Sequence, residues 1–110
     1  MINVIFRLDL DVAIYRDRVQ VTHRNTEAFV DQPAIYPFST EDSIVGNPRY
    51  LEDTIVRAIR KIVSEGAYSL RNPIVHVVRC DGSLDASGKA VIENALRETG
   101  MTSVIFELND

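Results

Sequence analysis

The sequence has almost no cysteine and contains no long apolar run. Its one cysteine, Cys80, cannot form an intramolecular disulfide, which fits a protein of a reducing compartment. No stretch approaches the roughly 20 apolar residues of a membrane-spanning helix. The N-terminal stretch MINVIFRLDLD is charged by its seventh residue, unlike a signal peptide. These absences predict a cytoplasmic protein that does not insert into a membrane.

The sequence also lacks an excess of positive charge. Its 12 Lys and Arg residues stand against 16 Asp and Glu residues, which gives a formal net charge of −4. Because contacts to phosphate groups dominate binding to nucleic acid, this balance does not favour nucleic acid as a partner. The composition, 45% hydrophobic and 25% charged, is that of a globular protein. At 110 residues we expect a single domain over residues 1–110.

Three antiparallel strands are predicted before residue 40. From Asn3 to Asp11 apolar residues occupy every second position, while Arg7, Asp9 and Asp11 share the opposite face. The stretch VAIY-RDR-VQVTH predicts a hairpin with RDR at its tip. AFVDQPAIYPF predicts a third strand, and its two prolines favour an edge position because proline cannot donate a hydrogen bond to a neighbouring strand.

The period changes to helical in NPRYLEDTIVRAIRKIVSEGA. Asn47 can cap the free N–H groups at the start of this helix, and Pro48 suits its first position. Glu52 and Asp53 are expected in the first turn, where the helix dipole favours acidic side chains. Gly66 is the expected end of the helix.

A strand, a helix and a strand are predicted for the rest of the chain. NPIVHVVR has consecutive apolar residues, as in a strand covered on both faces. DGSLDASGK leads into a second helix that Gly100 is expected to end, and SVIFEL predicts a final buried strand. The order is β-β-β-α-β-α-β, and the last two strands should be parallel because a helix joins them. The fold class is therefore α/β, with helices packed on a mixed sheet.

This order and three stretches resemble the first subdomain of the actin-like ATPases, in particular the rod-shape protein MreB and the ATPase domain of heat-shock chaperones. QPAIYPFSTEDSIVGNP is similar to the third-strand segment, and RYLEDTIVRAIRKIVSEG to the helix that follows. The stretch from NPIVHVVRC to FELND is similar to the strand–helix–strand unit. The resemblance implies a single actin-like, ribonuclease-H-like subdomain, a shortened layout that also resembles small bacterial stress-response proteins of the YjaA type.

The chain departs from that family where a nucleotide would bind. The family's first strand runs into an Asp-X-Gly turn whose backbone N–H groups hold a phosphate, whereas in LDLDVAIY no glycine follows Asp9 or Asp11. Family members also continue into a second subdomain that completes the adenosine pocket, and this chain ends at FELND. We therefore expect no ATP hydrolysis and no cofactor.

The same resemblance leaves a second hypothesis open, a small metal-dependent nuclease that uses Asp9, Glu52 and Asp81. Ribonuclease-H-like nucleases carry acidic residues on the first strand, on the helix after the third strand and at the end of the fourth. This chain has Asp9 or Asp11, Glu52 or Asp53, and Asp81 at those places. Two-metal hydrolysis requires the carboxylates to converge on ions roughly 3.5–4 Å apart. Helix-dipole and turn chemistry explain the acidic residues of the helix and the DGS turn equally well.

The other reactive side chains have simpler interpretations. Asp9 and Asp11 fit a solvated or arginine-paired strand end beside the hairpin. His76, in an apolar strand, fits a structural histidine, and Cys80 fits a small hydrophobic residue. These two cannot pair, because four residues along a strand span about 13 Å. Lys89 fits the surface of the second helix.

These observations predict a non-enzymatic protein that acts by protein–protein association, with a protein partner or with itself. Surfaces that the full-length family covers with further subdomains would be free here, and SIVG together with the apolar residues of AIYPF are the candidates. The resemblance suggests a setting in cell shape or stress response.

Overall fold

A computed structural model describes residues 5–108, which form a five-stranded mixed sheet and two helices. The elements are β1 (Phe6–Tyr15), β2 (Arg18–His23), β3 (Phe29–Pro33), α1 (Pro48–Ser64), β4 (Tyr68–Cys80), α2 (Ala86–Glu98) and β5 (Ser103–Phe106). The predicted α/β class and the order β-β-β-α-β-α-β are confirmed. Neither of these helices is long and apolar enough to cross a membrane.

The strands lie in the order β3-β2-β1-β4-β5, with β1 at the centre. β2 is antiparallel to both of its neighbours, β1 and β3. β4 is parallel to β1 and to β5. The predictions that β3 is an edge strand and that β4 and β5 are parallel are both confirmed.

β1 runs without a break through the RLDLDVAIY stretch, and only Arg16 and Asp17 separate it from β2. Asp9 and Asp11 therefore lie inside a long strand, and the interpretation of this region as a strand end is wrong. The two-residue turn needs a left-handed backbone, which Asp17 adopts with φ 54°. Ser39 holds this turn in place, since its N–H donates to Asp17 Oδ1 at 2.7 Å and its Oγ accepts from the Asp17 N–H at 3.1 Å.

The two helices contact each other on one face of the sheet, and the core fills the space beneath them. The alternation of β1 turns Leu8, Leu10, Val12 and Ile14 into this core, where each is at most 1% exposed. The buried side of α1 consists of Leu51, Thr54, Ile55, Ala58, Ile59 and Ile62.

The opposite face carries Asp9, Asp11, His76, Ile105 and Glu107, and neither helix covers it. We call it the open face. The expectation that β4 is covered on both faces is therefore wrong. Its consecutive apolar residues are divided between a buried side and a side shielded only by neighbouring strands, where Ile105 of β5 stays 40% exposed.

The start of α1 confirms one prediction and corrects another. Asn47 caps the helix as predicted, since its Oδ1 accepts from the Tyr50 N–H at 3.2 Å. Because Pro48 is the first helical residue, Glu52 and Asp53 lie beyond the first turn, and the helix dipole does not explain them. Asp53 instead accepts a hydrogen bond from Arg57 at 2.8 Å, one turn further along.

The helix ends differ in how they use glycine. After α2, Gly100 adopts a left-handed φ of 103°, as expected of a glycine that ends a helix. After α1, Glu65 is the cap residue and its N–H donates to Ile62 O at 3.2 Å. Gly66 therefore lies one residue beyond the cap residue of α1.

The connection between β3 and α1 contributes more buried residues to the core than predicted. Phe38 is fully buried and Val45 is 3% exposed, so the prediction that SIVG and AIYPF form a free surface is wrong for these two residues. A hydrogen bond of 2.8 Å from the Asn47 N–H to Phe38 O holds the connection closed. Ile35 and Tyr36 do face solvent, at 55% and 49% exposed.

Replacing Phe38 tests this packing. We expect Phe38→Ala to lower the free energy of unfolding by about 3–5 kcal/mol, because it removes a fully buried ring and leaves a cavity. Ile35→Ala, in the same connection but 55% exposed, is the matched control and should stay within about 1 kcal/mol of the native chain. Urea unfolding measures both, and equal losses would contradict the assignment of Phe38 to the core.

Candidate functional site

Five charged or titratable side chains form a continuous hydrogen-bond network on the open face. His76 Nε2 lies 3.0 Å from Asp9 Oδ1, and His76 Nδ1 lies 2.7 Å from Glu107 Oε1. Arg24 extends the network, with Nη2 2.8 Å from Glu107 Oε2 and Nε 2.5 Å from Asp11 Oδ1. We call this group, Asp9, Asp11, Arg24, His76 and Glu107, the clasp.

The register of the paired strands brings the five side chains of the clasp together. Asp9 and Asp11 occupy alternate positions of β1, and Asp11 lies directly opposite His76 of β4. Glu107 follows β5 directly, and its N–H donates to Val77 O at 2.9 Å, which brings its side chain beside the ring of His76. Arg24 follows β2 and donates its backbone N–H to Asp9 O at 3.0 Å.

The hydrogen bonds of His76 require a particular protonation state of its ring. The residue is only 7% exposed, and a carboxylate oxygen faces each ring nitrogen. An ionised carboxylate can only accept hydrogen bonds, and both nitrogens of histidine are donors only when the ring is an imidazolium. The geometry is therefore fully satisfied only by the doubly protonated ring.

The hydrogen bonds within the clasp favour the ionised forms of Glu107 and Arg24. The hydrogen bond from Arg24, and after it the one from His76, lowers the pKa of the Glu107 carboxyl below its ordinary value. The hydrogen bond to Asp11, followed by the one to Glu107, raises the pKa of the Arg24 guanidinium. With an imidazolium, three carboxylates face two cations, so the clasp is close to neutral.

The clasp is built to hold strands together and is poorly suited to catalysis. A general base needs a ring nitrogen within reach of a substrate proton, and both nitrogens of His76 are already bonded. As predicted, the polar atoms of His76 are satisfied within the fold. Its partners lie on β1 and after β5, so the ring links two strands across β4.

The carboxylates of the nuclease hypothesis are not brought together. Asp9 lies in the clasp, whereas Glu52 lies on α1, on the other side of the sheet. Asp9 lies opposite Ile74 of β4, whereas Asp81 follows the end of β4. Seven residues separate Ile74 from Asp81, which is about 23 Å along an extended strand. Within residues 5–108, no three His, Cys, Asp or Glu side chains form a group that could hold a metal ion.

Cys80 has the character of a packing residue. Its side chain is half-buried against the core, and its thiol donates to Asp81 O at 3.7 Å. Burial, and after it the negative charge of Asp81, raises the pKa of the Cys80 thiol. Since the thiolate is the nucleophilic form, this environment makes Cys80 a poor nucleophile.

A shallow cleft of about 620 Å³ lies beyond the carboxyl end of β4, between that strand and the start of α2. Arg79, Asp81 and Lys89 are its charged lining residues. The Arg79 guanidinium lies 3.2 Å from Asp81 and 5.4 Å from the ring centre of Tyr15. An anion in the cleft would meet the Asp81 carboxylate together with two basic groups, so the cleft has no strong preference for one sign of charge.

Arg24 and Glu107 are members of the site that the sequence pattern did not predict. The available signals were a histidine inside an apolar strand and the position of Glu107, two residues after Ile105 in SVIFEL. Neither signal identifies a partner, because the contacts depend on β2, β1, β4 and β5 lying side by side in that order.

Comparison of the chain with models of protein families, with curated proteins and with solved structures found no match in any of the three.

Replacing Glu107 tests the clasp through the pH dependence of stability. The pKa of Glu107 is below its ordinary 4.5, so its stabilising contribution is present above pH 4.5 and is lost as the pH falls through the lowered pKa. We expect Glu107→Gln to be less stable than the native chain at neutral pH, and the difference to shrink below pH 4.5.

Urea unfolding across this pH range measures the difference. Glu98→Gln, at the exposed end of α2, is the matched control and should track the native chain at every pH. A Glu107→Gln variant whose deficit is the same in acid as at neutral pH would contradict a stabilising role for the ionised Glu107.

Proposed function

We propose that this chain is a non-enzymatic cytoplasmic protein that acts by associating with a protein partner or with a second copy of itself, through the open face. The observation that carries the proposal is that β1, β4 and β5 form parallel pairs with one face free of either helix. In a fully parallel sheet other elements cover both faces, so the uncovered face over the parallel half of this mixed sheet favours a partner there.

The composition of the open face supports this proposal. Ile105 is 40% exposed, and half-buried Ile74 and Val78 lie on the neighbouring strand. At the other end of the same face, Phe29 of β3 is 51% exposed. β5, with four residues, is an edge strand whose outer backbone groups can pair with another chain. Apolar groups on a sheet face beside an edge strand are typical of association sites.

The reactive side chains also favour binding over catalysis. His76 has no ring nitrogen available for a substrate, and burial reduces the nucleophilic fraction of Cys80. The carboxylates of Asp9, Glu52 and Asp81 lie on different sides or ends of the sheet. Among the described residues, His76 therefore offers no free ring nitrogen as a base, and no set of metal ligands converges.

We further propose that the fold is an actin-like, ribonuclease-H-like subdomain that has lost its nucleotide site. The order of elements and the parallel β4–β5 pair support this relationship. The tight turn between β1 and β2 supports the loss. The Asp17 N–H already donates to Ser39 Oγ and Asp17 O accepts from the Ala34 N–H, so the turn is closed against the neighbouring chain. By resemblance, the setting would be cell shape or stress response.

Association through the open face predicts different effects for two isoleucines. We expect Ile105→Lys, which places a charge on this face, to weaken association at least tenfold, because it buries an unpaired charge in the interface. Ile35→Lys, on the β3–α1 connection, is the matched control and should leave association unchanged.

Light scattering of the purified chain over a range of concentrations measures self-association, and cross-linking in a cell extract measures a heterologous complex. If Ile35→Lys weakens association and Ile105→Lys does not, the interface lies on the connection and the open-face proposal is wrong.

The loss of the nucleotide site predicts the result of a direct binding experiment. Because the β1–β2 turn has no glycine and its Asp17 N–H is already bonded, we expect no heat of binding when ATP and Mg²⁺ are titrated into the protein. Isothermal titration calorimetry is the measurement, and micromolar affinity for ATP would contradict the proposed loss.

A further inference from the structure

β5 is the better suited of the two sheet edges to pair with a further strand. Within residues 5–108, β4 is the strand paired with β5, so the outer side of the β5 backbone meets no other strand. The opposite edge, β3, ends in Pro33, which has no N–H to donate. The chain then turns away, since the Ala34 N–H donates to Asp17 O at 2.8 Å.

The backbone groups of two β5 residues face outward from the sheet. The Glu107 N–H donates to Val77 O, so the backbone of Glu107 is turned toward β4. Because successive residues of a strand turn their N–H and C=O groups to opposite sides, Ile105 also faces β4, whereas Val104 and Phe106 face outward. Two donors and two acceptors on this outer side set the positions that a further strand must match.

We propose that the partner at this edge is a second copy of the chain, whose β5 pairs antiparallel with the first about a two-fold axis beside Ile105. This inference rests on the proposed function, because it names the partner and the geometry of the association at the open face and its edge. The two five-stranded sheets then join into one continuous sheet, with all helices on one side and the open faces side by side on the other.

This register gives every outward backbone group a partner. Val104 of each copy exchanges two hydrogen bonds with Phe106 of the other copy, one through each N–H. Between these pairs, Ile105 lies opposite Ile105 of the second copy in a non-hydrogen-bonded pair, with Cα atoms about 4.5 Å apart. The isoleucine is 40% exposed in the single chain, and the pairing covers this apolar surface.

The neighbouring registers are less complementary. A slip of two residues in one direction places Ile105 opposite Glu107 of the second copy, and a slip in the other direction places it opposite Ser103. Both slips replace an apolar pair by an apolar side chain against a polar one. The first also sets isoleucine against a carboxylate that His76 and Arg24 already hold.

The helix beside β5 also fits a second copy. Arg97 Nη1 donates to Thr102 O at 3.0 Å, so this side of α2 faces the start of β5. α2 runs back along β5, because it joins two parallel strands. Ala90, two turns before Arg97 and about 10 Å away, is on the same side of the helix.

Ala90 lies level with the two-fold axis. Ile105 is three residues after Thr102, which is also about 10 Å along a strand. Ala90 is exposed, and its small side chain leaves room where the helices of the two copies come nearest to the axis. The charged residues on this side of α2, Glu93 and Arg97, pair with each other at 3.1 Å, so neither is left as a lone charge facing the second copy.

The size of the edge sets the strength of the association. β5 has four residues, and a strand of this length buries less surface than a permanent dimer needs. We therefore expect monomer and dimer to exchange, with a dimer fraction that rises with protein concentration.

Disulfide trapping tests the axis and the register together. Ile105→Cys sets two cysteines in an opposed pair whose Cα separation, about 4.5 Å, a disulfide can span. Ser103→Cys, two residues away on the same face, is the matched control, because its two copies lie about 13 Å apart along the paired strands. The native chain gives the background from Cys80.

Non-reducing electrophoresis after mild oxidation, at one fixed protein concentration, measures the covalent dimer. We expect roughly tenfold more dimer for Ile105→Cys than for Ser103→Cys, since only the first pair is within disulfide reach. Neither substitution replaces a core residue, because both positions are on the open face.

Hydrogen exchange of the native chain gives a second measurement that needs no substitution. Pairing bonds the outward N–H groups of Val104 and Phe106, whereas the Ile105 N–H faces β4 in monomer and dimer alike. As the concentration rises through the range where light scattering detects the dimer, we expect exchange at Val104 and Phe106 to slow roughly fivefold more than at Ile105, the effect of one net hydrogen bond.

Three results would overturn this inference: a chain that stays monomeric at every concentration, Ile105→Cys trapped no better than Ser103→Cys, or equal slowing of exchange at all three amides. Self-association without trapping at Ile105 would mean that the second copy binds elsewhere on the open face, and the proposed function would stand. A monomer that forms a complex with a different protein would also leave that function standing. Absence of both kinds of association would contradict the proposed function itself.

Discussion

Burial of one face of β1 is the constraint on which the rest of the structure depends. β1 is the central strand, and Leu8, Leu10, Val12 and Ile14 are almost completely withdrawn from water beneath the helices. Burying a side chain of this size contributes roughly 1.5–3 kcal/mol, so the four together are a large share of a small domain's stability. A slip of one residue would move the carboxylates of this strand into the core, so its register is strongly specified.

The clasp is the consequence of that burial on the opposite face. Because side chains alternate along a strand, the same register that buries the apolar stripe turns Asp9 and Asp11 to the open face, where they need polar partners. Single exposed ion pairs contribute little, but here a nearly buried histidine joins the pairs into one continuous network. The polar groups are thereby satisfied without a third layer, and the apolar residues beside them remain available to a partner.

The RLDLDVAIY stretch is a strand whose two faces make different contributions to the fold. Its even-numbered residues pack into the core. Its odd-numbered carboxylates are linked to β4 and to the end of β5 through His76 and Glu107. Both contributions are structural, which agrees with the proposed binding role. The two carboxylates that suggested metal chemistry instead bind His76 and Arg24. These partners lie on β4 and on the connection after β2, outside the β1 segment itself.

Local patterns were enough for the elements themselves. The alternation of β1, the Asn47-Pro48 start of α1 and the prolines of β3 each act within a few residues, so the element order and the edge position of β3 could be predicted. The partners of His76, the burial of Phe38 and the free face of the sheet could not. These depend on which strands lie side by side and on where both helices pack, which is decided by burial of apolar surface over the whole chain and not by any short stretch of it.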